Sequence, residues 1–162
     1  NPDHYFYCDQ YSNGHNPAAH YETTAVEILQ QVPQITHFVA GVGTGGTISG
    51  VGRRLREYNP NVEIIVINFD EWPGVEGLKP LGQGHIIPKT FDQSVVDRTI
   101  TIDIEEAQGM SKLLAAKGLF VGQSSGAYML GARMVAEEIR SGHVVTIFND
   151  IGERYFSTAL WD

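Results

Sequence analysis

The sequence predicts an α/β fold, an open and mostly parallel sheet flanked by helices, and three observations carry that expectation. Short β-branched runs, ITHFVA at 35–40, VEIIVI at 62–67 and VVTIF at 144–148, are separated by segments with helical spacing. A glycine-rich stretch joins the first run to the helix that follows it, as in a tight strand-to-helix turn. The connection between the first two runs is long enough for a helical crossover, which sets neighbouring strands parallel and covers both faces of the sheet. A chain of 162 residues with 42% hydrophobic content is sufficient for one domain with a real core.

Taken in order, residues 5–8 (YFYC) alternate and read as a short strand, and 13–16 (NGHN) read as a turn. From 19 to 31, Tyr21, Val26, Ile28 and Leu29 recur at helical spacing, and Pro33 closes the helix. The strand at 35–40 enters the glycine loop, a helix runs over 47–57, Asn59-Pro60 turns, and the next strand spans 62–67. Residues 70–88 read as a loop punctuated by Pro73, Gly74, Gly77, Pro80, Gly82 and Gly84, and a loop of that length in a compact domain is usually functional. A strand at 98–102 precedes a helix at 105–117, with Asp103 as its cap and Gly118 as its stop. A short strand at 119–121, a glycine–serine turn at 122–126, a helix to about residue 140 and the strand at 144–148 complete the alternation.

Charge and cysteine content narrow the function. The net charge is −8 and the one basic cluster is Arg53, Arg54 and Arg56, which argues against a nucleic-acid surface. No apolar run reaches the length of a membrane helix, so no membrane partner is expected. The single cysteine, Cys8, excludes an internal disulfide and fits a reducing, cytoplasmic setting. The six histidines show no metal-ligand spacing. The chain opens at Asn1 directly into a strand-like segment. Residues 1–162 are therefore expected to form a single α/β phosphate-binding domain belonging to something longer.

The segment Gly41 to Gly50, GVGTGGTISG, is a phosphate cradle. Glycines allow close backbone approach so that successive N–H groups converge on one anion, the following helix adds the positive end of its dipole, and Thr44 and Thr47 add hydroxyls. Ligands of open α/β sheets sit at the carboxyl ends of the strands. Three more segments fall there: Glu76-Gly77-Leu78, the GQSSG turn from Gly122 to Gly126, and Asn149-Asp150-Ile151-Gly152. A dinucleotide site is the rival on spacing, since Gly41, Gly43 and Gly46 satisfy GxGxxG and Asp70 follows the next strand. It leaves the Thr-Gly-Gly-Thr core and the serine turn unexplained.

The ordered set of motifs resembles the fold-type II pyridoxal-phosphate enzymes. These motifs are GTGGT at 43–47 followed by Ile48-Ser49-Gly50-Val51-Gly52-Arg53, the GQSSGA turn, the closing DIGERYFST, and the opening Asp9-Gln10-Tyr11-Ser12-Asn13 with Asn16-Pro17-Ala18-Ala19-His20-Tyr21. Within that group the cysteine synthase and cystathionine β-synthase family, cysteine synthase above all, is the nearest likeness. The resemblance implies that Gly43, Thr44, Gly45, Gly46 and Thr47 hold the phosphate of pyridoxal 5'-phosphate and that Ser124 meets the pyridine nitrogen. It implies that Asp150 stands behind that nitrogen, and that Gln10 and Gly77 line the substrate side. It further implies β-replacement of O-acetylserine or O-phosphoserine by sulfide to give L-cysteine, in a homodimer, with residues 1–18 leading out of a preceding, smaller domain. The alternatives are cystathionine β-synthase-type replacement and a non-catalytic phosphate-ligand module. Where family members carry Pro-Asp-Ser-Gly, this chain has Asn149-Asp150-Ile151-Gly152, so one hydroxyl near the ring is lost. The lysine that binds the cofactor covalently lies in the family's earlier half, and none of Lys79, Lys89, Lys112 or Lys117 matches it. The chain alone is therefore expected to be inactive.

Overall fold

The computed structural model describes residues 4–69, 74–75, 77–81 and 84–161. Its sheet has four parallel strands in the order β3-β2-β1-β4, namely β1 (His37–Gly41), β2 (Glu63–Asn68), β3 (Arg98–Thr101) and β4 (Val144–Thr146). β1 is registered against β2 from His37 opposite Glu63 to Gly41 opposite Ile67, and against β4 from His37 opposite Val144.

After His37 in β1, and between Glu63 and Asn68 in β2, the central strands are apolar, and successive side chains enter opposite cores. Phe38, Ala40, Ile64 and Val66 pack on one face with Ile48, Val51 and Leu55 of α3 (Gly46–Tyr58). Val39, Ile65 and Ile67 pack on the other with Ala127, Tyr128, Ala132 and Val135 of α5 (Gln123–Glu138). α4 (Ile104–Ala116) lies beside α5. It begins, as its sequence predicts, at Asp103, whose carboxylate accepts the Glu106 N–H at 3.0 Å.

Four expected elements differ. Residues 5–8 form no strand. Tyr5, Phe6 and Tyr7 are 78%, 87% and 80% exposed, and an alternating run with no ladder beside it has nothing to hold it extended. The single helix expected over 19–31 is two, α1 (His15–Glu22) and α2 (Thr24–Gln31). At the junction the Ala19 carbonyl accepts both the Thr23 N–H at 2.9 Å and the Thr23 hydroxyl at 2.7 Å, while the Thr23 backbone, at φ −119°, departs from the helical value. The strand expected at 119–121 reduces to one antiparallel bridge between Val121 and Ile151. β4 stops at Thr146 rather than Phe148. The described residues of the 70–88 loop contain no helix or strand, while Asp70, Trp72, Pro73, Glu76 and Gly82 lie outside the described residues.

The arginine cluster is committed internally. Arg53 faces Asp92 at 3.7 Å, Arg54 stacks 5.0 Å over the Tyr21 ring, and Arg56 reaches Asp97 at 2.5 Å. Among the described residues, no helix is long and apolar enough to cross a membrane, and no cluster of three metal-ligating side chains occurs.

Candidate functional site

β1 ends at Gly41 and the chain passes through Val42, Gly43 and Thr44 to Gly45, the N-cap of α3. Gly45 takes φ +81°, and a Cβ there would lie 2.4 Å from that of Phe91, so conformation and space both require glycine. A glycine cap has no side chain with which to satisfy the first N–H groups of α3; the Gly46 N–H turns to Thr44 Oγ1, and no cap side chain engages those that follow it, as an anion site requires. The loop is tied down from outside: the buried Thr90 donates its hydroxyl to the Thr44 carbonyl at 2.6 Å.

The threonine hydroxyls are held from α1. Thr44 Oγ1 accepts from Asn16 Nδ2 at 2.9 Å and from the Gly46 N–H at 3.2 Å. With both lone pairs engaged, its own proton is left to give. Thr47 Oγ1 lies 3.1 Å from His20 Nε2, and His20 Nδ1 lies 2.9 Å from Thr24 Oγ1. Burial holds the His20 pKa below its ordinary value, so the ring is neutral at pH 7.

Gly41, Gly43, Thr44, Gly45, Thr47, Gly77, Tyr128 and Asn149 line a cavity of about 160 Å³. The Gly77 carbonyl would lie 2.6 Å from a Cβ on Gly43, and a Cβ on Gly77 would lie 3.9 Å from Ser124 Oγ, so Gly77 bridges the cradle and the serine turn. Ser124 is buried in the first turn of α5. Asp150 accepts the Tyr155 hydroxyl at 2.6 Å through Oδ2, and its backbone carbonyl accepts the Gly122 N–H at 3.1 Å. Its other oxygen, Oδ1, is buried without a hydrogen-bond partner and abuts the serine turn. Gln10 is exposed and joins the site through its main chain, its carbonyl accepting from Asn16 Nδ2 at 2.8 Å.

The structure thus brings together Gly43, Thr44, Gly45, Thr47, Gly77 and Ser124. Gly46 opens α3 behind them, Asp150 sits beside the serine turn, and Gln10 lies at the rim. Sequence reasoning missed Asn16, His20, Thr90 and Tyr128 as parts of the site, while Asn149 belongs to a strand-end segment it expected there. Asn16 and His20 carried a usable signal, an i, i+4 pair of polar side chains. Thr90 and Tyr128 are joined to the cradle only through space. Asn149 donates to the Tyr128 hydroxyl at 3.2 Å, and burial pushes that hydroxyl's pKa up to about 12.

The donor set fits a phosphate ester: backbone N–H groups at a helix start, a hydroxyl whose proton is free, and no carboxylate among the described lining residues.

Comparison with known proteins agrees. A cysteine synthase of Aquifex aeolicus is 46% identical over 99% of this chain and 51% of its own length. The crystal structure of an O-ureido-L-serine synthase is 38% identical, with a TM-score of 0.91 over 99% of this chain and 54% of that one. The crystal structure of O-acetylserine sulfhydrylase isoform 3 from Entamoeba histolytica is 29% identical, with a TM-score of 0.88 over 99% and 50%. The chain spans about half the length of the relatives it matches. The family model described as pyridoxal-phosphate dependent enzyme matches residues 1–150, which sets aside the dinucleotide alternative. That match runs over nearly the whole chain, and the chain belongs to the pyridoxal-phosphate-dependent enzyme family.

Proposed function

We propose that this chain supplies the cofactor-phosphate portion of a cysteine synthase, which replaces the β-acetate or β-phosphate of an activated serine with sulfide to give L-cysteine. The observation that carries the reading is Thr44, whose hydroxyl has both lone pairs filled by protein donors and a proton left for an anion. In this assignment Gly43, Thr44, Gly45, Gly46 and Thr47 bind the phosphate, and Ser124 offers a neutral hydroxyl to the pyridine nitrogen. When bound, the cofactor supplies an electron sink for chemistry at the α- and β-carbons of the amino acid. A hydroxyl, unlike a carboxylate, does not enforce protonation of the ring, which moderates that sink and suits β-elimination. Asp150 fixes the turn behind Ser124, and Gly77 and Gln10 contribute the substrate side. Ile151, more than half exposed, adds no hydroxyl.

Covalent attachment is assigned to a lysine outside these residues. Lys79 Nζ is placed 4.3 Å over the Tyr11 ring, and Lys89, Lys112 and Lys117 are exposed. The complete enzyme is proposed to be a cytoplasmic homodimer. A second reading is favoured by the likeness to an O-ureido-L-serine synthase: the same cradle serves β-replacement with an acceptor other than sulfide. Assaying the complete enzyme with sulfide, with homocysteine and with a urea-bearing oxygen nucleophile as competing acceptors separates the readings.

The test of the cradle is absorption spectroscopy of the chain titrated with pyridoxal phosphate, followed by borohydride reduction and peptide mapping. Saturable binding that inorganic phosphate competes away, with no lysine labelled stoichiometrically, is the expected result. Stoichiometric labelling of Lys79, Lys89, Lys112 or Lys117 would overturn the assignment.

A further inference from the structure

Asn16 and His20 lie one turn apart on the face of α1 that is pressed onto the start of α3. A Cβ at Gly46 would sit 1.9 Å from Asn16 Oδ1, and a Cβ at Gly50 would sit 2.9 Å from that of His20. Each side chain holds one threonine of the cradle, Asn16 the hydroxyl of Thr44 and His20 that of Thr47. Their chemistry differs. The Asn16 amide nitrogen only donates, whereas an imidazole nitrogen donates or accepts according to where its hydrogen is.

The two neutral forms of His20 have opposite consequences for the cavity. With the hydrogen on Nδ1, the ring donates to Thr24 Oγ1 and Nε2 accepts the Thr47 proton, which is then withheld from an anion. With the hydrogen on Nε2, the ring donates to Thr47 Oγ1, Nδ1 accepts from Thr24, and the Thr47 proton is released toward the cavity that Thr47 lines. The imidazolium also donates from Nε2 and leaves the Thr47 proton free.

We propose that His20 is a positioning residue of the phosphate cradle, turning the Thr47 hydroxyl proton toward or away from the cavity, and that an anion in the cradle selects the forms of His20 that donate from Nε2. The inference rests on the reading of the cavity as the seat of the cofactor phosphate. By linkage, anion binding and the proton on Nε2 favour each other. Burial keeps the ring neutral in the free chain, and an anion's charge opposes that effect. The charged groups of the elements packed around His20 are otherwise engaged or exposed. Arg54 and Glu57 meet Tyr21, Arg53 faces Asp92, and His15, Glu22 and Glu27 are solvent-exposed.

The test uses the full chain with inorganic phosphate and then pyridoxal phosphate as probes, reading the His20 ring nitrogens by NMR of ¹⁵N-histidine-labelled protein. Saturating anion is expected to move His20 to a pattern protonated at Nε2. H20L, which cannot donate, is expected to weaken phosphate binding roughly tenfold, while H20Q, which keeps an amide donor, recovers most of it. In a T47V background the H20L effect is expected to vanish. Unchanged His20 signals at saturating phosphate, or wild-type phosphate affinity in H20L, would overturn the proposal. The wild-type NMR measurement decides the matter where H20L fails to fold. Failure of the wild-type chain to bind either probe is a different result, which overturns the cradle reading itself and the role of His20 with it.

Discussion

Thr44 shows how much a single hydroxyl can specify. Its oxygen is saturated by Asn16 and by the Gly46 N–H, so removing the hydroxyl strips the cavity of a directed donor and leaves an amide hydrogen of Asn16 without its partner. T44V is expected to weaken binding of phosphate and pyridoxal phosphate by tenfold or more, since a hydrogen bond to a charged group contributes about 1.5–3 kcal/mol. T44S should retain most of the affinity, and calorimetric titration checks both. Tyr128 makes a prediction about pH. Its hydroxyl is held neutral by burial, with a pKa of about 12. The sign follows from a folded value raised above the unfolded one near 10: its contribution is complete below about pH 10 and is lost as pH rises toward 12. One tyrosine is therefore expected to resist ionisation at 295 nm until the fold is lost, and Y128F should flatten that alkaline loss of stability.

At the scale of elements, the apolar runs of β1 and β2 are legible because a strand buried on both faces has no polar positions, and the structure distributes those residues between two cores. I65A is accordingly expected to cost about 2–5 kcal/mol in denaturant unfolding, the range of buried large-to-small changes. D103A, which removes the α4 cap, should cost about 1 kcal/mol. The cradle too is legible, because its glycines and threonines are contiguous and answer a local demand for φ > 0 and close approach. The break at Thr23 is not, since it lies in the backbone of one residue, at φ −119°, with no glycine or proline to mark it. Nor is the failure of 5–8 to pair, because alternation describes a strand's faces and says nothing of the neighbour that must complete its ladder. The roles of Asn16, His20 and Tyr128 are hidden for a related reason. Each meets its partner across more than twenty residues of sequence, and the i, i+4 spacing of Asn16 and His20 marks a shared helix face without saying what that face meets.

For the whole molecule, a cradle fixed by α1, by Thr90 and by the serine turn couples anion binding to global stability. An anion at a hundred times its dissociation constant is expected to stabilise the chain by about 2.7 kcal/mol, read as a concentration-dependent rise in Tm with phosphate or pyridoxal phosphate. T44V should blunt that rise, whereas I65A should lower Tm and leave the increment intact. The order of the strands has a further consequence in time. β4, the last of the described strands, docks beside β1, the first of them, and Asn149 just beyond it supplies one wall of the cavity whose floor was laid at Gly41. The vessel therefore stays open on one side until the stretch around Asn149, far along the sequence from Gly41, has docked. The signal of anion capture on refolding should accordingly arrive with the slowest phase rather than with the collapse that precedes it.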